Sequence, residues 1–179
     1  LNGYEGAATA RYFKALITLI PKEFEFESRN RLPPKDPFNV MLSLGYSLLY
    51  GYTDSLIRVS GLLPWLGFYH QAHGSHRTLA SDLMEPFRHL VERKALSMIR
   101  KKQIKPGDFQ KRTDGSCLMD KKALKYYLVE LTKVLEGDLD GEASALSENR
   151  LTSKLQAQNR TLIAALNHKG EFIPWQSRG

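Results

Sequence analysis

The sequence predicts an all-α fold. Apolar residues recur at helical spacing in successive stretches. Prolines, glycines and capping aspartates punctuate them, and β-rich signals are scarce. Residues 4–19 place Ala7, Ala8, Ala15, Leu16 and Leu19 at helical spacing, and Pro21 ends that segment. Residues 22–35 read as an irregular connection closing in Asn30-Arg-Leu-Pro-Pro-Lys35. Asp36-Pro37 is a helix start. The aspartate serves as N-cap, and the proline takes the first helical position, where its missing N–H has no helical partner to lose. The helix that follows carries Val40, Leu44 and Leu48 on one face, with Met41 and Tyr52 nearby. It is expected to run to about residue 63, where Gly61 and Pro64 stop it.

Thr78 to about Lys102 is a second long helix. Arg93, Lys94, Arg100, Lys101 and Lys102 in its C-terminal half suit the negative end of the helix dipole. Pro86 lies inside this pattern and must kink the helix or restart it just after Glu85. Lys105-Pro-Gly-Asp108-Phe is a turn, and Asp120 caps a helix reaching about Glu136. Gly137-Asp-Leu-Asp-Gly141 is a linker. Residues 142–167 form a last amphipathic helix with Leu146, Leu151, Leu155, Leu162, Ala165 and Leu166. The chain reads as a single helical domain over 1–179. Residues 168–179 are a C-terminal tail that docks through Phe172, Ile173 and Trp175 or hangs loose.

With 179 residues, 42% of them hydrophobic, the chain is long and apolar enough to bury a core. Lys and Arg number 26 against 19 Asp and Glu, a formal charge of +7 that favours an anionic partner, nucleic acid or membrane surface. The lone Cys117 excludes an internal disulfide and fits a reducing compartment. It lacks a local base and reads as core, not nucleophile. The absence of a long apolar run or signal peptide argues against a membrane span and for a cytoplasmic protein. There is no P-loop, no dinucleotide-binding glycine pattern and no G-x-S-x-G. The opening Leu-Asn-Gly-Tyr-Glu, without an initiator Met, reads as a piece of a longer protein.

The densest chemistry lies between Gly67 and Arg88: His70, His73 and His76, then Arg77, Asp82, Glu85 and Arg88. A loop histidine followed by Asp-x-x-Glu is a mixed nitrogen and oxygen donor set of the kind that holds Mn2+ or Mg2+. Glu5, isolated among small residues in Gly3-Tyr-Glu5-Gly-Ala-Ala, is a candidate third ligand. The blander alternative makes Asp82 and Glu85 exposed helix charges paired with Arg77 or Arg88. The three histidines at spacing three also admit a zinc reading. Gly74 and Ser75 disfavour a regular helix through them, and no cysteine lies nearby. Arg29, Arg31, Lys35 and Arg58 with Tyr46, Tyr50 and Tyr52 have the composition of a DNA-contacting surface, or the tyrosines are simply core.

These blocks occur in a recognisable order: Gly3-Tyr-Glu5-Gly-Ala-Ala, Arg31-Leu-Pro-Pro-Lys-Asp36-Pro-Phe-Asn39, Leu42-Ser-Leu-Gly-Tyr46, Gly67-Phe-Tyr-His70, and Leu79-Ala-Ser-Asp82-Leu-Met-Glu85-Pro-Phe-Arg88. Together they resemble the CRISPR-associated spacer-acquisition integrase ("Cas-one") family, with a flavour of its reverse-transcriptase-associated members. The resemblance implies a C-terminal helical catalytic domain. In the family it follows an N-terminal β domain, which this chain would lack. It implies a metal triad on Glu5, His70 and Glu85, with Asp82 as an auxiliary acid and Tyr50 near the DNA end. It also implies a homodimer, the small "Cas-two" adaptation protein and a fused or associated reverse transcriptase as partners.

The resulting expectation is a Mg2+- or Mn2+-dependent DNA endonuclease and strand transferase. It inserts short double-stranded fragments into a CRISPR array, with Arg77, Arg88, Arg58 and Arg31 on phosphates. Its rivals are a nucleic-acid-binding helical module without chemistry and a helical interaction domain with zinc on the three histidines.

Overall fold

The computed structural model describes residues 2–70, 74, 76–137 and 150–176, without the side chains of residues 2–5 and 8. It is helical, with one small hairpin among the described residues: α1 (Asn2–Ile17), α2 (Pro37–Val59), α3 (Thr78–Met84), α4 (Arg88–Arg100), β1 (Phe109–Lys111), β2 (Cys117–Met119), α5 (Lys121–Glu136) and α6 (Leu151–Leu166). Three 3-10 turns interrupt the connections, at Lys22–Phe24, Glu85–Phe87 and Pro106–Asp108. No described helix is long and apolar enough to cross a membrane.

Two compact units divide the chain. One comprises Leu1–Gly45 and Glu92–Val129, the other Tyr46–Val91 and Glu130–Gly179. The first buries Phe24, Phe38, Met41, Met98, Ile104 and Tyr127, each at most 1% exposed. The Tyr127 hydroxyl donates to the Met41 carbonyl at 2.9 Å, satisfying a polar atom that burial would otherwise strand. In the second unit Ile57, Leu79, Ala80, Leu83 and Leu162 form a cluster, with Tyr50, Leu62 and Phe172 packed around it.

Local chemistry explains most boundaries. Asp36 Oδ1 accepts the Asn39 N–H at 2.9 Å, the N-cap bond expected before Pro37. Helix α2 stops at Val59, short of the expected residue 63. Gly61 takes the left-handed conformation at φ +75°, and the Leu62 N–H turns back to the Ile57 carbonyl at 3.1 Å, a glycine C-cap. The buried stripe of α2 runs through Phe38, Met41, Leu42, Tyr46, Leu49 and Ile57. Of Val40, Leu44 and Leu48, which share one face by spacing, Val40 is buried and Leu44 and Leu48 are half-buried. In α1, Leu16 is buried while Ala7 and Ala15 are exposed, and Leu19 just beyond its end is exposed too.

Pro86 restarts the helix, as one of the two expected outcomes: α3 ends at Met84, a 3-10 turn spans Glu85–Phe87, and α4 begins at Arg88. The hairpin was not expected. It pairs Phe109 with Met119 and Lys111 with Cys117. Its tip is Asp114-Gly115, where Gly115 has φ +78° and Asp114 Oδ1 accepts the Ser116 N–H at 2.9 Å. Cys117 is buried, and burial pushes its thiol up, away from the reactive thiolate. The linker beyond Gly137 and the start of the last predicted helix, residues 138–149, lie outside the described residues.

Candidate active site

Asp82, in α3, organises the segment leading to His70. Its Oδ2 accepts the N–H groups of Phe68 at 2.7 Å and Tyr69 at 3.0 Å, and its Oδ1 accepts the His70 N–H at 2.9 Å. The same Oδ1 lies 2.6 Å from His70 Nδ1. The Asp82 side chain is 1% exposed. Burial pushes its carboxyl up, but the bonds from the His70 ring and from the Tyr69, His70 and Phe68 backbone outweigh this and hold it below the usual carboxylate range. An ionised carboxylate only accepts, so Nδ1 carries the proton, and in the neutral ring the Nε2 lone pair is the one that faces an electrophile.

Gly67 makes this approach possible. A Cβ there would come within 2.7 Å of Asp82 Oδ2 and Thr78 Cβ, and 2.8 Å of the Thr78 carbonyl carbon. Thr78 completes the clamp: its hydroxyl accepts the Gly67 N–H at 2.9 Å and donates to the Trp65 carbonyl at 2.7 Å. The Leu79 N–H is held by the Pro64 carbonyl at 2.9 Å. The loop is thus fastened to the start of α3 at four successive backbone N–H groups, 67 to 70.

Glu85 has a different setting. It sits in the 3-10 turn, its side chain 40% exposed, and Arg88 Nη1 reaches both carboxylate oxygens at 2.9 and 3.0 Å. The Arg88 guanidinium in turn lies 4.3 Å from the Tyr46 ring centroid. The ion pair expected of a helix-surface glutamate is therefore present at Glu85. Each oxygen keeps a further lone pair, so the pairing is compatible with a metal bond. Asp82, by contrast, is buried, and no exposed ion pair forms there.

Other expected site residues are engaged within the chain. The Tyr50 hydroxyl accepts the Arg77 N–H at 3.0 Å and donates to the Arg77 carbonyl at 3.4 Å. Its ring stacks on His76 at 5.9 Å, and the His76 Nε2 is 3.0 Å from Ser81 Oγ. Arg77 and Arg58 converge on Asp54 Oδ2 at 2.7 and 3.1 Å, and Arg58 also covers the Trp65 ring at 4.9 Å. Arg29 turns inward to Asn39 Oδ1 at 2.7 Å and Ser43 Oγ at 3.1 Å, while Arg31 is exposed. Glu5 lies on α1, in the first unit, with its side chain outside the described residues, as is His73. No group of three or more His, Cys, Asp or Glu suited to a metal is found among the described residues. Sequence reasoning missed Gly67, Thr78 and Asp54 as site-shaping residues. Only Asp54, four residues before Arg58, carried a local signal.

The family described as "CRISPR associated protein Cas1" matches residues 1–133. This chain belongs to that family. The matched stretch contains Glu5, His70, Asp82 and Glu85, while the C-terminal tail lies beyond it. A Cas1 relative from Mycobacterium tuberculosis (strain CDC 1551 / Oshkosh), described as "CRISPR-associated endonuclease Cas1", is 44% identical over 115 residues, covering 64% of this chain and 34% of the relative. The match thus spans about a third of that Cas1 protein's length. Among solved structures, a chain of a "Cas6-RT-Cas1--Cas2 complex" superposes with TM-score 0.87 at 36% identity, covering 99% of this chain and 20% of that one. A "Casposase bound to integration product" superposes with TM-score 0.85 at 26% identity, covering 98% of this chain and 50% of that one.

Proposed function

We propose that this chain is the catalytic part of a divalent-metal-dependent DNA endonuclease and strand transferase that inserts short DNA fragments into a CRISPR array. The observation that carries the reading is the Asp82–His70 pair. A buried carboxylate sets the histidine tautomer and leaves Nε2 for a metal, the arrangement that metal-binding histidines use. His70, Glu85 and Glu5 would hold the ion, and one nitrogen with two carboxylates suits Mn2+ or Mg2+. When bound, such an ion polarises a phosphoryl oxygen and neutralises charge in the transition state.

The chain's own residues do the rest. Asp82 and Thr78 hold the histidine loop rigid against α3. Arg88 keeps Glu85 oriented and, with Arg77, offers guanidinium groups to neighbouring phosphates. Arg58, Arg31 and Tyr50 would each be further DNA contacts, with largely sequence-independent, salt-sensitive affinity. The 3′-hydroxyl oxygen of the fragment would form a bond to phosphorus as the scissile P–O bond breaks; the attacking hydroxyl loses its proton to solvent, and the displaced 3′-oxygen of the array strand takes one up to leave as a hydroxyl. One phosphodiester replaces another, so no nucleotide cofactor is needed.

Likeness to a chain in a complex titled with Cas6, reverse transcriptase and Cas2 supports a Cas2-type partner and an associated reverse transcriptase. Likeness to a casposase on its integration product supports strand transfer. A homodimer is part of the same reading.

The test is strand transfer of a duplex with 3′-hydroxyl ends into a repeat-bearing plasmid, with Mn2+ and with chelator. Replacing Glu5, His70 or Glu85 by Ala should abolish transfer and leave DNA affinity largely intact. Equal loss of both would assign these residues to folding. Transfer that survives chelation would overturn the metal, and DNA binding without transfer in any ion would favour the non-catalytic module. Zinc at stoichiometric level by elemental analysis would favour the three-histidine alternative.

A further inference from the structure

The C-terminal tail lies beyond the stretch that matches the Cas1 family, and the chemistry above does not use it. Its two aromatic side chains nonetheless reach both segments that carry His70 and Glu85. Phe172 meets the Phe68 ring edge-on, centroids 5.5 Å apart, and packs against the cluster of Ile57, Leu79, Ala80, Leu83 and Leu162. Phe68 stands two residues before His70, and its N–H is held by Asp82.

Trp175 stacks on Phe87 at 4.8 Å and 14°, and on His89 at 5.7 Å and 6°. These rings follow Glu85 by two and four residues. The His89 ring is itself fixed, its Nδ1 lying 2.9 Å from the Pro86 carbonyl. Lys154 Nζ lies 5.1 Å from the Trp175 ring centroid.

A buried amide joins the tail to the same turn. Gln158, 2% exposed, accepts the Trp175 N–H at 2.9 Å through Oε1 and donates through Nε2 to the Leu83 carbonyl at 2.9 Å, two residues before Glu85. Thr161 Oγ1 donates to the Ile173 carbonyl at 3.3 Å, while the Ile173 side chain stays 64% exposed. The tail therefore grips through Phe172 and Trp175. The support falls at the break between α3 and α4, where Pro86 lacks the N–H that would bond back to the Asp82 carbonyl.

We infer that residues 172–175 form a positioning strap that holds the histidine loop and the Glu85 turn at the spacing a shared metal ion requires. The inference rests on the metal reading above. Metal sites demand donor placement within about 0.5 Å, so supports that fix two ligand-bearing segments act on affinity without touching the ion.

The experiment compares wild type, Phe172→Ala/Trp175→Ala and Trp175→Phe. Mn2+ binding is followed by electron paramagnetic resonance of the free ion, and amide hydrogen exchange is followed over residues 67–70 and 85–89. The double variant should bind Mn2+ about tenfold or more weakly. Exchange should quicken in both segments, DNA affinity should hold, and Trp175→Phe should recover most of the Mn2+ affinity because a ring still stacks on Phe87. Unchanged Mn2+ affinity and exchange in the double variant, with wild type binding normally, would overturn the strap. So would a folded Trp175→Phe protein as impaired as the double variant. Wild type that binds no Mn2+, or binding that survives His70→Ala, would instead sink the metal reading and the strap's role with it. Should the double variant melt below the assay temperature, Phe172→Leu, which keeps apolar burial and removes the ring contact, carries the same comparison for the histidine loop.

Discussion

Asp82 Oδ1 lies 2.6 Å from His70 Nδ1, and the Asp82 carboxylate also holds the N–H groups of residues 68, 69 and 70. One buried side chain thus folds a loop and sets a tautomer together. Asp82→Asn presents an amide N–H to donors on one side. Asp82→Ala leaves all of them unmet. Urea unfolding should show a loss of about 2–4 kcal/mol for Asp82→Ala, the size expected when a buried charged acceptor is removed from its donors. Nitrogen NMR of the His70 ring should show Nδ1 protonated in wild type and a tautomer mixture in Asp82→Ala. A change below about 0.5 kcal/mol, within the range of an ordinary surface substitution, would contradict this account.

Gly67→Ala should destabilise the chain by about 1–3 kcal/mol, as overpacking does. The added methyl would meet the Thr78 backbone at 2.8 Å, and backbone does not yield as a flexible side chain would. Thermal melts report the global loss. Hydrogen exchange at residues 67–70 should quicken more than in the hairpin of the other unit.

Arg88→Lys should lower stability by about 1 kcal/mol although charge is retained. The planar guanidinium covers the Tyr46 ring at 4.3 Å while its Nη1 holds both Glu85 oxygens; an ammonium can replace the single-nitrogen bond to Glu85 but not the flat contact on the ring. Double-mutant cycles with Tyr46→Leu and Tyr46→Phe separate the ring contact from the interaction with the Tyr46 hydroxyl. A coupling near zero would show that the ring contact contributes nothing.

Tyr52 sets an alkaline limit. Burial, then its hydrogen bond and charge interaction with Glu136, push its phenol up to about 12. A raised folded-state pKa means that this group's contribution is complete below the unfolded value of about 10 and is lost as pH rises through about 12. Phenolate absorbance should show one tyrosine titrating in that range beyond the exposed ones. Tyr52→Phe should flatten the decline in stability over the same window. Tyr127, buried against the Met41 carbonyl, is also shifted upward by burial.

The parts of this fold that were legible in advance are those governed by neighbours in sequence. Asp36-Pro37 opens α2, Pro86 breaks the α3–α4 pattern, and Asp120 precedes α5, because caps and missing N–H groups act within one helical turn. The hairpin is not legible in the sequence although Asp114-Gly115 is a turn signal. Its strands are three residues each, too short to show alternation. Helix α2 ends earlier than its apolar pattern predicts, because apolar residues continue past Gly61 while the left-handed backbone at that glycine stops the helix.

For the site, residue types and order were readable from the chain, and the blocks around Glu5, His70 and Glu85 suffice to mark the family. What each acid does was not readable. Asp82 and Glu85 are three residues apart and equivalent as a pattern, yet one is buried beneath four donors and the other faces Arg88 in the open. That difference arises from the loop at 67–70 folding back across α3 and from a glycine that leaves room for it. Composition and periodicity report the preferences of a backbone over a few residues. Burial, tautomer and the grip of Trp175 on the Glu85 turn depend on contacts between residues far apart in the chain, which exist only once it has closed on itself.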